Sequence, residues 1–441
     1  MTTTPPLSTA PLHFVFPSIR KELLGNGTPV YLIERADEDL MSITLNIASG
    51  AVHDELDGET SFTVAMLVRG TTTMSPEDFA EEVERRGCSI GSSSDRDSTS
   101  IVATGLSEYD HDLVRFLSDS ICSPGFDTVE IERQLKRRIG DHLQNVADPD
   151  WLAGQALSVA AFDGHPYGRS KDGTPETMTL VDRDRMRSVY ARLLSYPRFV
   201  IVSGRFDPEE VLRGLDEGIG RLPVPTAVSS IAPAILRSRV AAIASKEDAV
   251  QTVLRMALPA LPLVDPDYTA LLLVTEILGG YTMARLFTVL REQKGYTYGA
   301  YAYLENRKWS QAMRLMTSVG NGFTVDTVAT VKAELQRIRS QRIDDEEFEN
   351  TRQHALGRFA RSNETPQQTA GLLWTIISND LPMDYFERHI ERLQALTPDD
   401  VRHVQERFFD PATLTIGASG DRNIIVDAVA DSVDTVIDYR A

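Results

Sequence analysis

The chain repeats one ordered pattern in its two halves, and this internal duplication restricts its fold more than any other feature. Near the middle, an amphipathic segment and a proline precede an apolar stretch that ends at Ser203-Gly204. Near the C-terminus the same succession ends at Ser419-Gly420, about half a chain length later. Each copy predicts a helix, a proline stop and a short buried strand.

The beginnings of the two halves repeat as well. Apolar stretches at 30–33 and 42–47 flank an acidic turn, and those at 240–243 and 251–256 flank a second charged turn. Each pair predicts a β-hairpin. Together with the repeated helix–strand units, these patterns predict an α+β fold of two homologous domains, each a sheet with packed helices.

Length and composition set the expected domain boundaries. A chain of 441 residues is too long for one ordinary core and fits two to four domains. A stretch rich in proline, serine and alanine lies near the midpoint, as expected of a linker. We predict an N-terminal extension at 1–24, a first α+β domain at 25–221, a linker at 222–236 and a second α+β domain at 237–441.

Helix boundaries are marked by capping residues. Ser75-Pro76 predicts an N-cap followed by proline in the first helical turn, and Gly87 closes that helix. Thr397-Pro398 repeats the device in the second half, and residues 344–361 predict a long charged helix. The shared capping device is a further mark of duplication.

Charge and composition exclude several classes of partner. A formal net charge of −19 argues against nucleic acid, because a phosphate backbone requires a positive footprint. No apolar run approaches the roughly 20 residues that cross a bilayer, and the N-terminus lacks the features of a signal peptide. Cys88 and Cys122 are too few for a disulfide framework. We therefore expect a cytoplasmic protein with neither nucleic acid nor a membrane as partner.

The histidines do not form a metal site by their spacing. None of the eight lies four residues from another, and none belongs to a Cys/His cluster. Asp141-His142 is an adjacent candidate pair, and one carboxylate with one imidazole makes a weak site. The sequence also contains no phosphate-binding loop of the G-x-x-x-x-G-K-[ST] type. We expect no metal or other cofactor in this chain.

Residues 58–71, GETSFTVAMLVRGT, resemble the active-site helix of the pitrilysin/insulinase-like zinc metallopeptidases, which runs roughly G-L-A-H-F-L-E-H-M-L-F-K-G-T. In that family two histidines bind zinc, the glutamate beside the second histidine activates water, and a glutamate on a later helix is the third ligand. A further family glutamate near the site maps to Gln134. The resemblance implies a degenerate zinc motif whose four positions hold Ser61 and Ala65 for the histidines, Val64 for the catalytic glutamate and Asp141 for the distal ligand.

A second motif is similar to that family and is intact. Residues 277–287, ILGGYTMARLF, and 290–298, LREQKGYTY, match G-G-x-x-S-R-L-F followed by R-E-x-x-G-L-x-Y. In the family the arginine and the tyrosine seven residues later project toward the zinc site. They map to Arg291 and Tyr298, and we expect Tyr298 early on a strand after a helix that ends at Gly295. The alternative is structural: a capping arginine and a packed tyrosine.

The combination of a lost zinc motif and an intact arginine–tyrosine pair implies half of a divided active site, as in mitochondrial processing peptidase. We predict a non-catalytic subunit that forms one half of a peptidase clamshell. Its partner would carry H-x-x-E-H and the zinc, and both would enclose a peptide. Arg291 and Tyr298 would then act at the partner's zinc site. The alternatives are a structural or peptide-holding scaffold with no role in proteolysis, and an active homodimer with an unusual metal site.

Overall fold

The computed structural model describes residues 12–440, and in them two six-stranded sheets are formed, one from each half of the chain. Their orders are β1-β2-β6-β3-β5-β4 and β12-β7-β11-β8-β10-β9. Five successive positions therefore correspond between the sheets, which confirms two homologous sheet-plus-helix domains. The strands are β1 (Arg20–Leu23), β2 (Pro29–Glu34), β3 (Leu40–Ile47), β4 (Ser89–Ser94), β5 (Thr99–Leu106), β6 (Arg198–Gly204), β7 (Val240–Ser245), β8 (Gln251–Pro259), β9 (Ala300–Arg307), β10 (Ser310–Gly320), β11 (Thr415–Gly420) and β12 (Thr435–Tyr439).

The helices pack on both faces of each sheet. A π-type turn, Thr288–Gln293, continues α10. Short 3-10 turns lie at Ala51–His53, Ser107–Tyr109, Pro166–Gly168, Ile219–Arg221, Asn321–Phe323, Arg361–Asn363 and Pro411–Thr413. The α-helices are α1 (Glu59–Met66), α2 (Pro76–Glu84), α3 (Asp110–Cys122), α4 (Thr128–Ala147), α5 (Pro149–Phe162), α6 (Pro175–Met178), α7 (Arg183–Ser195), α8 (Pro208–Glu217), α9 (Tyr268–Gly279), α10 (Arg285–Phe287), α11 (Thr324–Ser340), α12 (Asp345–Ala360), α13 (Pro366–Ser378), α14 (Tyr385–Ala395), α15 (Arg402–Phe408) and α16 (Arg422–Val429).

The two hairpins expected from the sequence are wrong in their pairing, although all four strands form. β6 lies between β2 and β3, parallel to the former and antiparallel to the latter, and β11 lies in the same way between β7 and β8. β6 and β11 are almost entirely buried. A strand buried on both faces belongs in the interior of a sheet, so each is inserted into what would otherwise be a hairpin.

Capping follows the sequence at one site and departs from it at another. Ser75 accepts a hydrogen bond from the Asp78 amide at 3.1 Å, and Gly87 has a φ of +59°, as predicted for the ends of α2. Thr397, by contrast, does not open the next helix. The Asp400 carboxylate accepts hydrogen bonds from the amide and hydroxyl of Thr397, which forms a separate turn before α15 begins at Arg402.

Each half of the chain lends one helix to the sheet of the other half. α5 lies on the second sheet, where Ala156 and Ala160 pack against Val240 and Ala242 of β7. α13 lies on the first sheet, and its Leu373 belongs to the apolar cluster beneath β2 and β6. Successive residues of a strand face opposite sides of the sheet. The residues on one side therefore pack against helices of the same half, and those on the other side pack against the helix contributed by the other half.

The N-terminal segment also joins the two halves. The Phe16 amide donates a 2.9 Å hydrogen bond to Glu387 Oε1 on α14, and the Leu12 carbonyl accepts one from Gln394. The sheet begins at β1, inside the range expected as an extension, because Arg20–Leu23 pairs with β2. Residues 1–11 lie outside the described part. Between the halves, residues 223–238 follow an irregular path without helix or strand.

Candidate functional site

Helix α1 carries the substituted zinc motif. It begins after Gly58, whose φ of +84° and close approach to Asp172 exclude a side chain, because a Cβ there would lie 2.6 Å from the Asp172 carbonyl. Val64 is 1% exposed and packs in the core, and its carbonyl accepts a 2.8 Å hydrogen bond from Ser92 Oγ on the edge strand β4. The position of the family's catalytic glutamate is therefore occupied by a buried apolar side chain.

Ser61 is bound by a guanidinium from the neighbouring helix α4. Arg138 donates from Nη2 to the Ser61 carbonyl at 2.9 Å and from Nη1 to its hydroxyl at 3.3 Å. The same guanidinium lies 5.0 Å from the centre of the Phe62 ring, a cation–π distance. Burial lowers the pKa of Arg138, and the carboxylates of Asp172 and Asp141 oppose that shift. A fixed positive charge thus joins the two helices that would hold a metal in the family.

The helices border a cleft of about 330 Å³. Three of the mapped positions, Ala65, Gln134 and Asp141, line this cleft, and Ser61 adjoins it through Arg138. The Asp141 carboxylate is more than half exposed, and its nearest partner is Arg137 Nε at 3.8 Å. The other lining residues are Arg69, Arg137, Arg138, His142, Asn145, Trp151, Asp172, Gly173 and Met178.

The donor set of this cleft does not fit a catalytic zinc. Such a site needs about three ligands that are deprotonated or neutral donors, and Ala65 supplies none. The Arg138 guanidinium lies between α1 and α4, where it would repel a dication. Within residues 12–440, no group of three or more His, Cys, Asp or Glu side chains is arranged to hold a metal ion.

Arg291 and Tyr298 are in contact, through the main chain of the tyrosine. Arg291 Nη1 donates a 2.6 Å hydrogen bond to the Tyr298 carbonyl, and its guanidinium lies 5.1 Å from the Phe287 ring. The helix ends as predicted at Gly295, which has a φ of +67°. The wide turn just before it, Thr288–Gln293, directs Arg291 back toward the segment that follows.

Tyr298 precedes its strand and does not lie on it, which corrects the expectation from the sequence. The Thr297 hydroxyl accepts a hydrogen bond from the Gly299 amide, and Thr317 donates to the Gly299 carbonyl, so a local turn replaces strand pairing here. β9 starts only at Ala300. The Tyr298 side chain is 88% exposed, and its hydroxyl makes no hydrogen bond within the described residues.

The structure therefore gathers the predicted residues into two groups. Ala65 and Asp141 line the cleft between α1 and α4, Ser61 adjoins it through Arg138, and Arg291 contacts Tyr298 just before β9. No hydrogen bond or ion pair between residues 12 and 440 joins the two groups. Sequence reasoning missed Arg138. The available signal was its spacing, because positions 134, 138 and 141 lie on one face of a helix.

Comparison with known proteins places the chain in a family. Residues 30–174 match the family model "Insulinase (Peptidase family M16)", and residues 181–354 match "Peptidase M16 inactive domain". The two matches, one in each half, identify a two-domain chain of the peptidase type. The chain belongs to peptidase family M16, which confirms the resemblance seen at residues 58–71 and 277–298.

The names of the curated relatives include both zinc proteases and a non-peptidase homolog. The chain is 22% identical to "Uncharacterized zinc protease YmxG" of Bacillus subtilis, over 79% of this chain and 85% of that protein. It is 20% identical to "Non-peptidase homolog YmxG" of Helicobacter pylori, over 76% and 78%. It is 24% identical to "Mitochondrial-processing peptidase subunit beta" of Dictyostelium discoideum, over 60% and 58%.

Solved structures share the fold. A peptidase M16 inactive domain from Pseudomonas fluorescens superposes with a TM-score of 0.83 at 20% identity, over 91% of this chain and 98% of that one. At this identity the likeness concerns the fold alone.

None of the helices between residues 12 and 440 is both long and apolar enough to cross a membrane.

Proposed function

We propose that this chain is the non-catalytic subunit of a heterodimeric zinc metallopeptidase and supplies Arg291 and Tyr298 to the partner's active site. One observation carries the proposal: a guanidinium occupies this chain's own metal position, while a second guanidinium holds an exposed tyrosine. Arg138 excludes hydrolysis at the cleft of this chain. Tyr298 leaves a phenol free to meet another surface.

The proposed division of chemistry follows from these groups. The partner's metal supplies the Lewis acid when it is bound. The Tyr298 hydroxyl donates a hydrogen bond to the peptide carbonyl oxygen as negative charge develops there, which is worth about 100- to 1000-fold in turnover. Arg291 acts as a positioning residue, because its hydrogen bond fixes the carbonyl of Tyr298 and thereby the loop that presents the phenol.

The edge strand β4 supports the binding of an extended peptide. It forms one border of the first sheet, and its Ser92 hydroxyl donates a hydrogen bond to the Val64 carbonyl, so the strand lies next to the helix that borders the cleft. A peptide that adds to such an edge gains main-chain hydrogen bonds without a demand on its sequence. We also propose a cytoplasmic location, which the unbridged thiols of Cys88 and Cys122 support.

The scaffold alternative has an observation in its favour. Arg291 donates its 2.6 Å hydrogen bond to a main-chain carbonyl, as an arginine with a purely structural role would also do. The experiment that separates the two functions uses a quenched fluorescent peptide library and three samples: this chain, the zinc-motif chain that co-purifies with it, and their mixture. Cleavage that requires the mixture and is lost with Tyr298→Phe supports the shared site.

A matched control makes the assay specific. Tyr303 is another exposed tyrosine, on the following strand β9, at 49% exposure, and Tyr303→Phe should retain full activity. If the partner alone cleaves as well as the mixture, this chain is a scaffold. If this chain alone cleaves, its metal position has been misinterpreted.

A further inference from the structure

Two guanidinium groups without a carboxylate partner line the cleft between α1 and α4. Within residues 12–440, Arg69 and Arg138 take part in no ion pair within 4.0 Å. The carboxylates nearby are already engaged: Asp141 lies 3.8 Å from Arg137, and Asp172 lies 3.2 Å from Lys171. In a chain with a net charge of −19, this cleft is lined by three arginines and only two aspartates, which is a local excess of positive charge.

Arg69 is the more available of the two groups. Its side chain makes no hydrogen bond within the described residues, and its Nε is buried without a partner. Glu130 on α4, whose carboxylate feels the charge of Arg69, is held by Nε and Nη2 of Arg133 at 2.7 Å and by the side-chain amide of Gln134 at 2.9 Å. A buried donor that lacks an acceptor destabilises the site. The two Nη groups of Arg69 also make no hydrogen bond within the described residues, and they are the donors that an incoming anion would meet at the cleft.

Arg138 also retains unused donors. A guanidinium carries five N–H groups in a planar fork, and the two contacts with Ser61 use one from Nη1 and one from Nη2. The N–H groups of the remaining edge can donate hydrogen bonds to a second pair of oxygens. Planar forks of this kind match the two oxygens of a carboxylate.

We propose that this cleft binds a carboxylate group of the peptide, either its C-terminal carboxylate or an acidic side chain. The proposal rests on the proposed role in a peptide-binding heterodimer for the class of ligand. It adds the feature that would be recognised: one end or one residue of the peptide is held by Arg69 and Arg138 in place of a metal. A neutral peptide lacks this interaction.

The cleft contains its own reporter for a binding experiment. Trp151 lines it, with its ring edge-on to His142 at 5.8 Å. The chain has two other tryptophans, so the Trp309→Phe/Trp374→Phe variant leaves Trp151 as the single tryptophan. Its fluorescence is titrated with three short peptides: acetyl-Ala-Ala-Ala with a free carboxyl, the same peptide as its amide, and acetyl-Ala-Glu-Ala amide.

Each result decides the proposal. Saturable binding of the free acid alone supports recognition of the C-terminus, and binding of the glutamate peptide supports recognition of an acidic side chain. Equal titration by the neutral amide, or no response to either acid, overturns it. Raising NaCl from about 50 to about 500 mM should weaken the binding severalfold, because the contact is between opposite charges.

Variants separate binding from folding. Arg69→Met should lower the affinity about tenfold, and it removes no hydrogen bond from the free protein. Arg138→Met should act in the same direction, and Arg138→Lys is the second variant because the loss of both contacts to Ser61 can affect folding. Arg213→Met, on the distant α8, removes one exposed positive charge and should change the affinity less than about twofold.

The test uses this chain alone and no cleavage reaction. An absence of carboxylate binding would therefore leave the shared active site with Tyr298 untouched. Conversely, a failed reconstitution of peptidase activity would not alter the titration. Retention of full affinity in Arg69→Met would overturn the assignment of the site even if the acid peptides bind.

Discussion

Arg291 holds Tyr298 by its main-chain carbonyl at 2.6 Å and leaves the phenol exposed. In the proposed function, Arg291 therefore acts by placing Tyr298 and not by contacting the substrate itself. If Arg291 acts only by placing Tyr298, the effects on kcat of removing the arginine side chain and of removing the tyrosine hydroxyl should not be additive.

A double-mutant cycle in the reconstituted heterodimer tests that relationship. Tyr298→Phe should lower kcat about 100- to 1000-fold, Arg291→Ala should lower it by a similar factor, and the double variant should be no worse than either. Both kcat and KM are measured. Additive losses would show that Arg291 contacts the substrate directly.

Restoration of the zinc ligands should be blocked by Arg138. We expect that Ser61→His, Val64→Glu, Ala65→His and Asp141→Glu together bind zinc at least about tenfold more weakly than the same set with Arg138→Leu, because a guanidinium between the helices repels a dication. Competition with a fluorescent chelator measures both affinities. Equal affinities would show that Arg138 moves aside without cost.

The contact between α5 and the second sheet should be sensitive to one methyl group. A Cβ on Gly417 of β11 would lie 2.2 Å from the Leu157 amide and 2.4 Å from the Ala153 carbonyl of α5, so Gly417→Ala should lower the free energy of unfolding by about 3 kcal/mol. Urea denaturation is the measurement. Gly357→Ala is the control, since nothing lies within 4 Å and the residue is inside α12, where alanine should stabilise by about 0.5–1 kcal/mol.

Stability should fall in acid because of a buried histidine. Burial lowers the pKa of His389 to about 4, with a smaller effect from Arg392. Between pH 6.5 and about 4, His389 is protonated in the unfolded chain but neutral in the folded chain. The free energy of unfolding therefore decreases as the pH falls through that window. The loss from this residue is about 2 kcal/mol between pH 7 and pH 5.

The comparison of variants isolates this effect from other groups. His53, whose pKa burial also lowers to about 4, changes stability in the same direction, and Asp54, whose pKa burial raises to about 7, changes it in the opposite direction. His389→Gln should therefore show a fall smaller than that of the unmodified protein by about 2 kcal/mol. His111→Gln, at an exposed position, should show the unmodified fall.

The sequence predicted the repeating architecture because the same apolar and proline pattern occurs twice. It could not predict the insertion of β6 between β2 and β3, since that pairing joins residues more than 150 positions apart and depends on burial of both faces of β6. The exchanged helices α5 and α13 were missed for the same reason. Their apolar faces are visible in the sequence, but the sheet that each one covers is not.

At the candidate site, the substituted positions were recognised from the frame of residues 58–71, and the structure places Ala65 and Asp141 at one cleft. The arginine that fills this region was not recognised. What distinguishes Arg138 is its contact with Ser61, 77 positions away in the sequence. The helical repeat of α4 alone does not separate it from the neighbouring arginines. Tyr298 was expected on the strand but precedes it, because the turn formed by Thr297 and Gly299 was not recognised from the sequence.

The exchange of α5 and α13 has a mechanical consequence. Each half would expose the bare face of a sheet if the other half moved away, so the chain has no hinge line along which it can part without losing its core. Any gate that admits a substrate in the proposed heterodimer must therefore open between the two polypeptides. This chain would move as a single rigid body.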